Sequence, residues 1–200
     1  MTKQKTVIEA FNETAYEYAK KFGYDQHHAL PSLKKFLGLL PPKANVLDAG
    51  CGGGQDSKFL SENNCSVTGI DGSEEMIKLS KKYAPKAAFA ILNLKDLSKE
   101  KKYDGIWCSA VFHHISIAEQ DDILNIFNNS LKKEGILYIT SAISDEEKDY
   151  EAYDADVIKI LKKRLTPDSF KNLIINHGFK IIEFNRLTTK RHMEIFARKI

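Results

Sequence analysis

Apolar positions along this chain change spacing repeatedly, from steps of three and four to short continuous runs and back. Between Thr6 and Phe22 they fall at Val7, Ile8, Phe11, Ala15, Tyr18, Ala19 and Phe22, the spacing of an amphipathic helix. Asn12-Glu13-Thr14 interrupts that stripe and allows two shorter helices. A further helix is predicted over Leu30–Leu40, with Leu33, Phe36, Leu37 and Leu40 on one side. Seven short runs then read as strands: Val46–Leu47, Ser66–Ile70, Ala87–Leu92, Asp104–Ala110, Leu137–Ala142, Phe179–Phe184 and Met193–Lys199. Between them lie helical stretches at Gln55–Asn63, after an N-cap at Ser73, over Ile117–Leu131, and from Thr166-Pro167 to Gly178. The run Asp104–Ala110 is apolar almost throughout, which suits the centre of a sheet covered on both faces. Only Asn185–His192 joins the last two strands, so the final strand is expected to run antiparallel.

One stretch departs from every regular pattern. Val46–Leu60 reads VLDAGCGGGQDSKFL, a strand end, a glycine turn and a helix start. So many glycines carry a backbone entropy cost that only special φ values or close approach justify. The turn brings backbone N–H groups and a helix N-terminus to one point, which favours an anion or polar ligand near the main chain. A dinucleotide fingerprint would have a third glycine where Gln55 stands, and a phosphate loop would continue into Lys-Ser or Lys-Thr. Instead Asp48 closes the strand, and a carboxylate there repels a pyrophosphate and attracts a cation. The local chemistry therefore points to a nucleoside ligand carrying positive charge.

These segments resemble the class I S-adenosylmethionine-dependent methyltransferases, in register from about Val46 to Lys199. VLDAGCGGG (Val46–Gly54) is similar to the family's first motif, and VTGID, ending at Asp71, to its second. FAILNLKDL (Phe89–Leu97), YDGIWCSAVFHHI (Tyr103–Ile115), GILYIT (Gly135–Thr140) and GFKIIE (Gly178–Glu183) resemble the segments that follow. The resemblance implies an α/β, Rossmann-like, doubly wound seven-stranded sheet of order 3-2-1-4-5-7-6. Residues 1–40 would form an N-terminal helical cap and residues 41–200 the cofactor-binding core of a single methyltransferase domain. It further implies that S-adenosylmethionine is the cofactor and S-adenosylhomocysteine the product. Gly50, Cys51, Gly52 and Gly54 would let the backbone approach its methionine and ribose portions. Asp48 would attract its cationic end, Asp71 and Gly72 would meet the ribose, and Asn93 and Leu94 the adenine. Asn93 stands where the family usually has aspartate, so its amide oxygen accepts without charge assistance. Asp71 followed by Gly72 is also a common turn pair. Its place at the carboxyl end of the strand next to the glycine turn favours ligand binding.

Catalytic candidates are fewer. His113 and His114 follow the fourth strand at the expected ligand edge, and at most one should face the pocket. Histidine suits proton transfer near neutral pH, and His113 is read as general base or orienter. A structural histidine closing the pocket is the alternative. Tyr16, with Tyr18 and Phe22, is a candidate wall of the acceptor pocket, against ordinary helix packing. His27 and His28 read as solvated loop residues, and no metal is expected.

Composition narrows the acceptor. The chain of 200 residues is 42% hydrophobic and 28% charged, with a net charge of +3 from 30 basic and 27 acidic side chains. That balance alone does not suggest nucleic acid. Cys51, Cys65 and Cys108 cannot all pair and have no metal-ligand spacing, so they read as reduced thiols of a cytoplasmic protein. Met1–Ala10 has no apolar leader and no segment reaches membrane-spanning length, so no membrane partner is expected. An acidic run over Ser144–Asp156 reads as a solvated face or as a lid favouring a cationic acceptor, with Tyr150 and Tyr153 as aromatic contacts. The preferred acceptor is the N or O nucleophile of a small molecule, acted on by a monomer or homodimer. A tRNA or protein acceptor, suggested by Arg186, Lys190 and Arg191, is the alternative, as is a regulatory module that binds cofactor without turnover. A nicotinamide oxidoreductase is disfavoured by Gln55.

Overall fold

Side chains alternate between the faces of a strand, so a strand buried on both faces must feed two cores. The computed structural model shows this division. It describes residues 6–21, 29–98, 100, 102–145, 148–154, 158–187 and 192–200, with the backbone alone for 148–154 and 158–164. Strands β1 (Asn45–Ala49), β2 (Ser66–Asp71), β3 (Ala88–Ile91), β4 (Tyr103–Cys108) and β5 (Leu131–Ala142) run parallel. On β4 and β5, Ile106, Cys108, Leu137 and Ile139 enter one core, while Trp107, Ile136 and Tyr138 enter the other. The first core also receives α5 (Ile117–Ser130) and α6 (Pro167–Asn176), through Ile123, Leu124, Phe127, Phe170 and Ile174. The second receives α2 (Leu30–Leu39) and α3 (Gln55–Glu62), through Leu33, Phe36 and Leu60.

Strands β8 (Phe179–Arg186) and β9 (His192–Lys199) complete the sheet in the order β3-β2-β1-β4-β5-β9-β8. Counting only these seven strands, the order is the expected 3-2-1-4-5-7-6, and β9 is antiparallel to both neighbours. Ser73 caps α4 (Glu74–Tyr83) by accepting from the Met76 N–H at 3.2 Å, and Thr166 caps α6 from the Ser169 N–H at 3.1 Å.

Three expectations change. Helix α1 (Val7–Lys21) is continuous across Asn12-Glu13-Thr14. The Asn12 carboxamide does not compete with its own helix: its oxygen accepts from the Ser73 hydroxyl at 2.7 Å and ties α1 to the start of α4. Strand β5 begins at Leu131, six residues before the predicted start. The acidic stretch, read as a solvated face or a lid with no strand assigned to it, contains β6 (Lys148–Asp154), paired antiparallel with β7 (Ile158–Arg164). An acidic strand there stands in register with a basic one, Asp149 opposite Lys163, so its charge pattern is half of a hairpin. The hairpin is rooted beside β5 by the Ser144 N–H to Leu165 carbonyl bond of 3.0 Å. Phe22, His27, His28, Lys190 and Arg191 lie outside the described residues, as do the side chains of Tyr150 and Tyr153.

The Phe36 ring is fully buried, edge-on to Trp107 at 5.2 Å. Phe36→Ala is expected to cost about 3–5 kcal/mol, whereas Tyr16→Ala, at a position 67% exposed, should change stability by less than about 0.5 kcal/mol. Urea denaturation of both variants checks the pair, and comparable losses would contradict this packing.

Candidate functional site

The turn after β1 is held by its neighbour strand. The N–H groups of Gly50 and Cys51 both donate to the Ile70 carbonyl, at 2.8 and 2.9 Å. The Gly52 N–H donates to Asp71 Oδ2 at 3.0 Å, and the Gly54 N–H to the Cys51 carbonyl at 3.0 Å. These four donors are therefore spent within the protein. Three of them fix the turn against β2 and the fourth closes it on itself, so none of the four is offered to an anion. Gly50 needs its freedom twice over: φ is +79°, and a Cβ there would sit 2.3 Å from Val111 Cγ2. Gly52 also has positive φ, at +49°, but a Cβ there would meet nothing within 4 Å. The space over Gly52 is open cavity.

That cavity, of about 540 Å³, runs along the carboxyl ends of the strands. Its lining follows the sheet order. Asn93 and Leu94 come after β3, Asp71 and Gly72 at the end of β2, and Asp48 with the glycine turn at the end of β1. Ser109, Ala110, Val111, His113 and His114 follow β4, and His192 opens β9. Helix α1 closes the other side with Val7, Ile8, Phe11 and Tyr18. A ligand at the carboxyl ends of the strands, where the order reverses between β1 and β4, occupies the site that open α/β sheets generally offer.

Carboxylates dominate its electrostatics. Asp48 is buried and accepts from the Ser57 hydroxyl at 2.6 Å. Burial, together with the charges of Asp56 and Asp71, pushes its carboxyl up to about 8. Asp71 is also raised by burial, an effect opposed by the N–H groups of Ser73 and Gly52 donating to its two oxygens. Asp56 accepts from the Trp107 indole N–H at 2.7 Å. Among the described residues, no lysine or arginine lines the cavity. Three acidic side chains in a low-dielectric cleft make a site that attracts a cation. Burial and the Asp48 charge push the Cys51 and Cys108 thiols up, so neither is poised as a nucleophile. Among the described residues, no group of three His, Cys, Asp or Glu is placed to hold a metal, and no helix is long and apolar enough to cross a membrane.

Most sequence candidates converge here: Asp48, Gly50, Cys51, Gly52, Asp71, Gly72, Asn93, Leu94 and His113 all line the cavity. Gly54 stands behind the turn as the αL N-cap of α3, against Ser80. The Asn93 amide oxygen caps a 3-10 turn by accepting from the Lys95 N–H at 3.2 Å, leaving one lone pair for a ligand. Tyr16 does not reach the cavity; it is 67% exposed. Two residues on, Tyr18 lies about 200° further around the helix and lines the cavity instead. Asp56, Phe11 and His192 were not singled out as cavity-lining residues. For Phe11 the 7, 11, 18 spacing was the available signal, while His192 carried none, since its position depends on antiparallel pairing opposite Ala142.

The methyltransferase-domain family model matches residues 22–183, and the chain belongs to that family. A protein of Invertebrate iridescent virus 6, provisionally named methyltransferase 235L, is 28% identical over 187 residues, or 86% of this chain and 60% of that one. The ubiquinone biosynthesis O-methyltransferase of Rickettsia typhi is 33% identical over 112 residues, covering 54% of this chain and 44% of that one. The chain thus matches about 60% or less of the length of these curated relatives. Among solved structures, the 1,6-didemethyltoxoflavin-N1-methyltransferase of Burkholderia thailandensis, crystallised with 1,6-didemethyltoxoflavin and S-adenosylhomocysteine, shares the fold. Its TM-score is 0.80 at 20% identity, covering 96% of this chain and 87% of that one.

The Asp48 environment has a measurable consequence. In the unfolded chain an aspartate ionises near pH 4, in this cavity near 8, so the native state holds a proton that the unfolded state releases. The resulting stability is complete below about pH 4, declines as pH rises and is gone above about pH 8. Asp48→Asn keeps an amide oxygen for the Ser57 hydroxyl and should flatten that decline. Denaturation at about pH 5 and pH 8 is the measurement, and equal slopes for the two proteins would refute the assignment.

Proposed function

We propose that the chain binds S-adenosylmethionine along the cavity and transfers its methyl group to an N or O nucleophile of a small molecule. The observation carrying this reading is the order of groups along the sheet edge: a 3-10 turn with an amide, a half-buried carboxylate, an open glycine turn, then a fully buried carboxylate. Each suits one part of that cofactor in sequence: adenine, ribose, the linking backbone and the positive charge. The open space over Gly52 and the absence of described basic lining residues both fit a cationic nucleoside. When bound, the cofactor supplies an electrophilic methyl group on a sulfonium and leaves as S-adenosylhomocysteine.

The residues then divide the work. Asp71 has both oxygens oriented by backbone N–H groups and offers its remaining lone pairs to two ribose hydroxyls. Asn93 and Leu94 border the adenine, Gly72 the ribose, and Gly50, Cys51, Gly52 and Gly54 form the turn beneath the methionine portion. Asp48 neutralises the cationic end. His113, buried at the far side of β4, receives or orients the acceptor's proton, and α1 excludes water. Tyr18 takes the wall position expected of Tyr16. Helix α1 serves as the cap expected of residues 1–40, while α2 packs with the 41–200 core through Leu33 and Phe36, in a cytoplasmic enzyme that is monomeric or homodimeric. Its described cysteines Cys51, Cys65 and Cys108 are free thiols. A tRNA acceptor is the less favoured alternative, since among the described residues no lysine or arginine lines the cavity to meet a phosphate.

Calorimetry with S-adenosylhomocysteine and S-adenosylmethionine tests the site. Asp71→Ala should weaken both ligands by about 100-fold or more, the loss of two charge-assisted hydrogen bonds. Binding of S-adenosylmethionine should tighten as pH rises toward about 8, because Asp48 releases its proton to meet the cation. Titrations in buffers of different ionisation enthalpy should show up to one proton released at neutral pH. No heat with either ligand would remove the proposal, and methyl transfer from labelled cofactor to a metabolite pool distinguishes an enzyme from a binding module.

A further inference from the structure

The two edges of the seven-stranded sheet are built differently. Strand β8, at one edge, carries Lys180 and Glu183, with Lys35 paired to Glu183. Its register against β9 shifts at Ile182, which forms a bulge. Charges and bulges keep an edge from pairing with another chain. Strand β3, at the opposite edge, reads Ala88-Phe89-Ala90-Ile91, with no charge, proline or register shift. Ala88, Ala90 and Ile91 are exposed there, Ile91 at 55%. The described part of the connection to β4 holds a 3-10 turn, Leu94–Asp96, where a parallel crossover usually carries a helix. Among the described residues, nothing pairs with the outer side of β3.

Hydrogen bonding to β2 determines which groups of β3 face outward. The Leu92 N–H donates to the Asp71 carbonyl at 2.9 Å, so Ala88, Ala90 and Leu92 turn their main-chain groups toward β2. Phe89 and Ile91 turn theirs away from it. An N–H and a C=O at both positions are complementary to an antiparallel copy of the same strand. With a two-fold axis at Ala90, Phe89 of each copy stands opposite Ile91 of the other, and each such pair exchanges both bonds. The two side chains share the face on which Phe89 covers Gly69, giving an aromatic and β-branched cross-strand pair on each side of the axis.

Helix α4 packs beside α3 on that same face and adds complementary charge. Its α3 side is marked by the Tyr83 ring, 4.3 Å from Lys58 Nζ, and by Ser80 beside Gly54. At about 100° per residue, the side turned from α3 toward the β3 edge holds Glu74 in the first turn and Lys81 near the last. Both are exposed. The two-fold axis reverses the second helix, so Glu74 of each copy faces Lys81 of the other. The spacing also fits, since strands about 4.8 Å apart bring helices seated over them to the roughly 8–10 Å at which helices pack.

We infer that β3 is the self-pairing edge of a homodimer: a second copy of this chain adds antiparallel at Phe89–Ile91, with α4 against the α4 of the other copy. The inference goes beyond the methyl-transfer reading and does not depend on it. Because the axis reverses the second sheet, the two cavities open at opposite edges of the joined sheet, and neither copy completes the site of the other.

Sedimentation velocity over a range of protein concentrations tests the association, and amide hydrogen exchange locates it. The protein is expected to sediment with the mass of two chains as concentration rises, and Ile91→Lys should weaken association at least about tenfold. Glu74→Lys and Lys81→Glu each bring like charges together and should also weaken it about tenfold, whereas the double variant should return to within about threefold of the unaltered chain. The Phe89 and Ile91 amides should exchange more slowly as the dimer forms, while that of Ala90, turned toward β2, should not change. Far-UV circular dichroism keeps loss of pairing distinct from loss of fold, and the exposed charge variants carry the test if Ile91→Lys does not fold. A chain that stays monomeric, a folded Ile91→Lys variant that still associates, a double variant as weak as the single ones, or protection away from β3 would each overturn the interface.

Discussion

The site depends on one clamp. The end of β2 accepts both N–H groups of the Gly50-Cys51 turn on a single carbonyl, and its next residue, Asp71, takes the Gly52 N–H. These bonds hold the chain as it leaves β1 and fix where α3 begins. A parallel strand pair alone would not fix it, since pairing ends at Ala49 opposite Ile70. The clamp also determines the sign of the site. A glycine turn with free N–H groups would favour a phosphate; with those donors spent on β2, the carboxylates of Asp48, Asp56 and Asp71 set the potential. The same bonds that shape the cradle thus select a cation for it.

That selection works against stability. Ionised Asp48 is buried near two other acidic groups, so the free protein resists charging it. A hydrophobic or amide side chain would remove the conflict and with it the attraction for a positive ligand. Strain collects nearby as well. Ala110, a residue with a Cβ, has φ of +58° where β4 enters the cavity, and its N–H is held by the Thr140 hydroxyl at 2.7 Å. The rest of the sheet compensates through fully covered strands, with Trp107 and Tyr138 stacked at 3.7 Å in one core and Phe112 and Phe170 at 5.8 Å in the other. A rigid scaffold around a poorly satisfied cleft is the arrangement expected where binding, not packing, sets the residues.

How much was legible in the chain follows from how local each determinant is. The glycine turn, the caps at Ser73 and Thr166 and the cavity positions of Asp48, Asp71 and Asn93 are each written in a short local segment, and the resemblance of those segments to a known family supplied the strand order. They could be read from spacing and motif. Tyr16 was misplaced because composition identifies an aromatic but not its face; a shift of two positions on a helix turns it away from the cavity. The β6–β7 hairpin was hidden because its acidic half was read alone, without the basic strand that stands in register with it. Asn12 looked like a helix breaker because its partner, Ser73, is 61 residues away.

The two ends of the cavity therefore differ in how their parts are encoded. The cradle over β1, β2 and β3 draws on consecutive units of one alternating pattern, so a motif carries it. The wall beyond β4 is assembled from Phe11, Tyr18, His113, His114 and His192, brought together only when α1 folds back over α4 and β9 inserts beside β5. No short segment contains that combination, and substitution at any one of its elements changes the wall without disturbing the clamp. A fold built this way can keep one cofactor chemistry while its acceptor changes. The acceptor must then be argued from the rings and charges that meet in space, which no single stretch of the linear sequence displays.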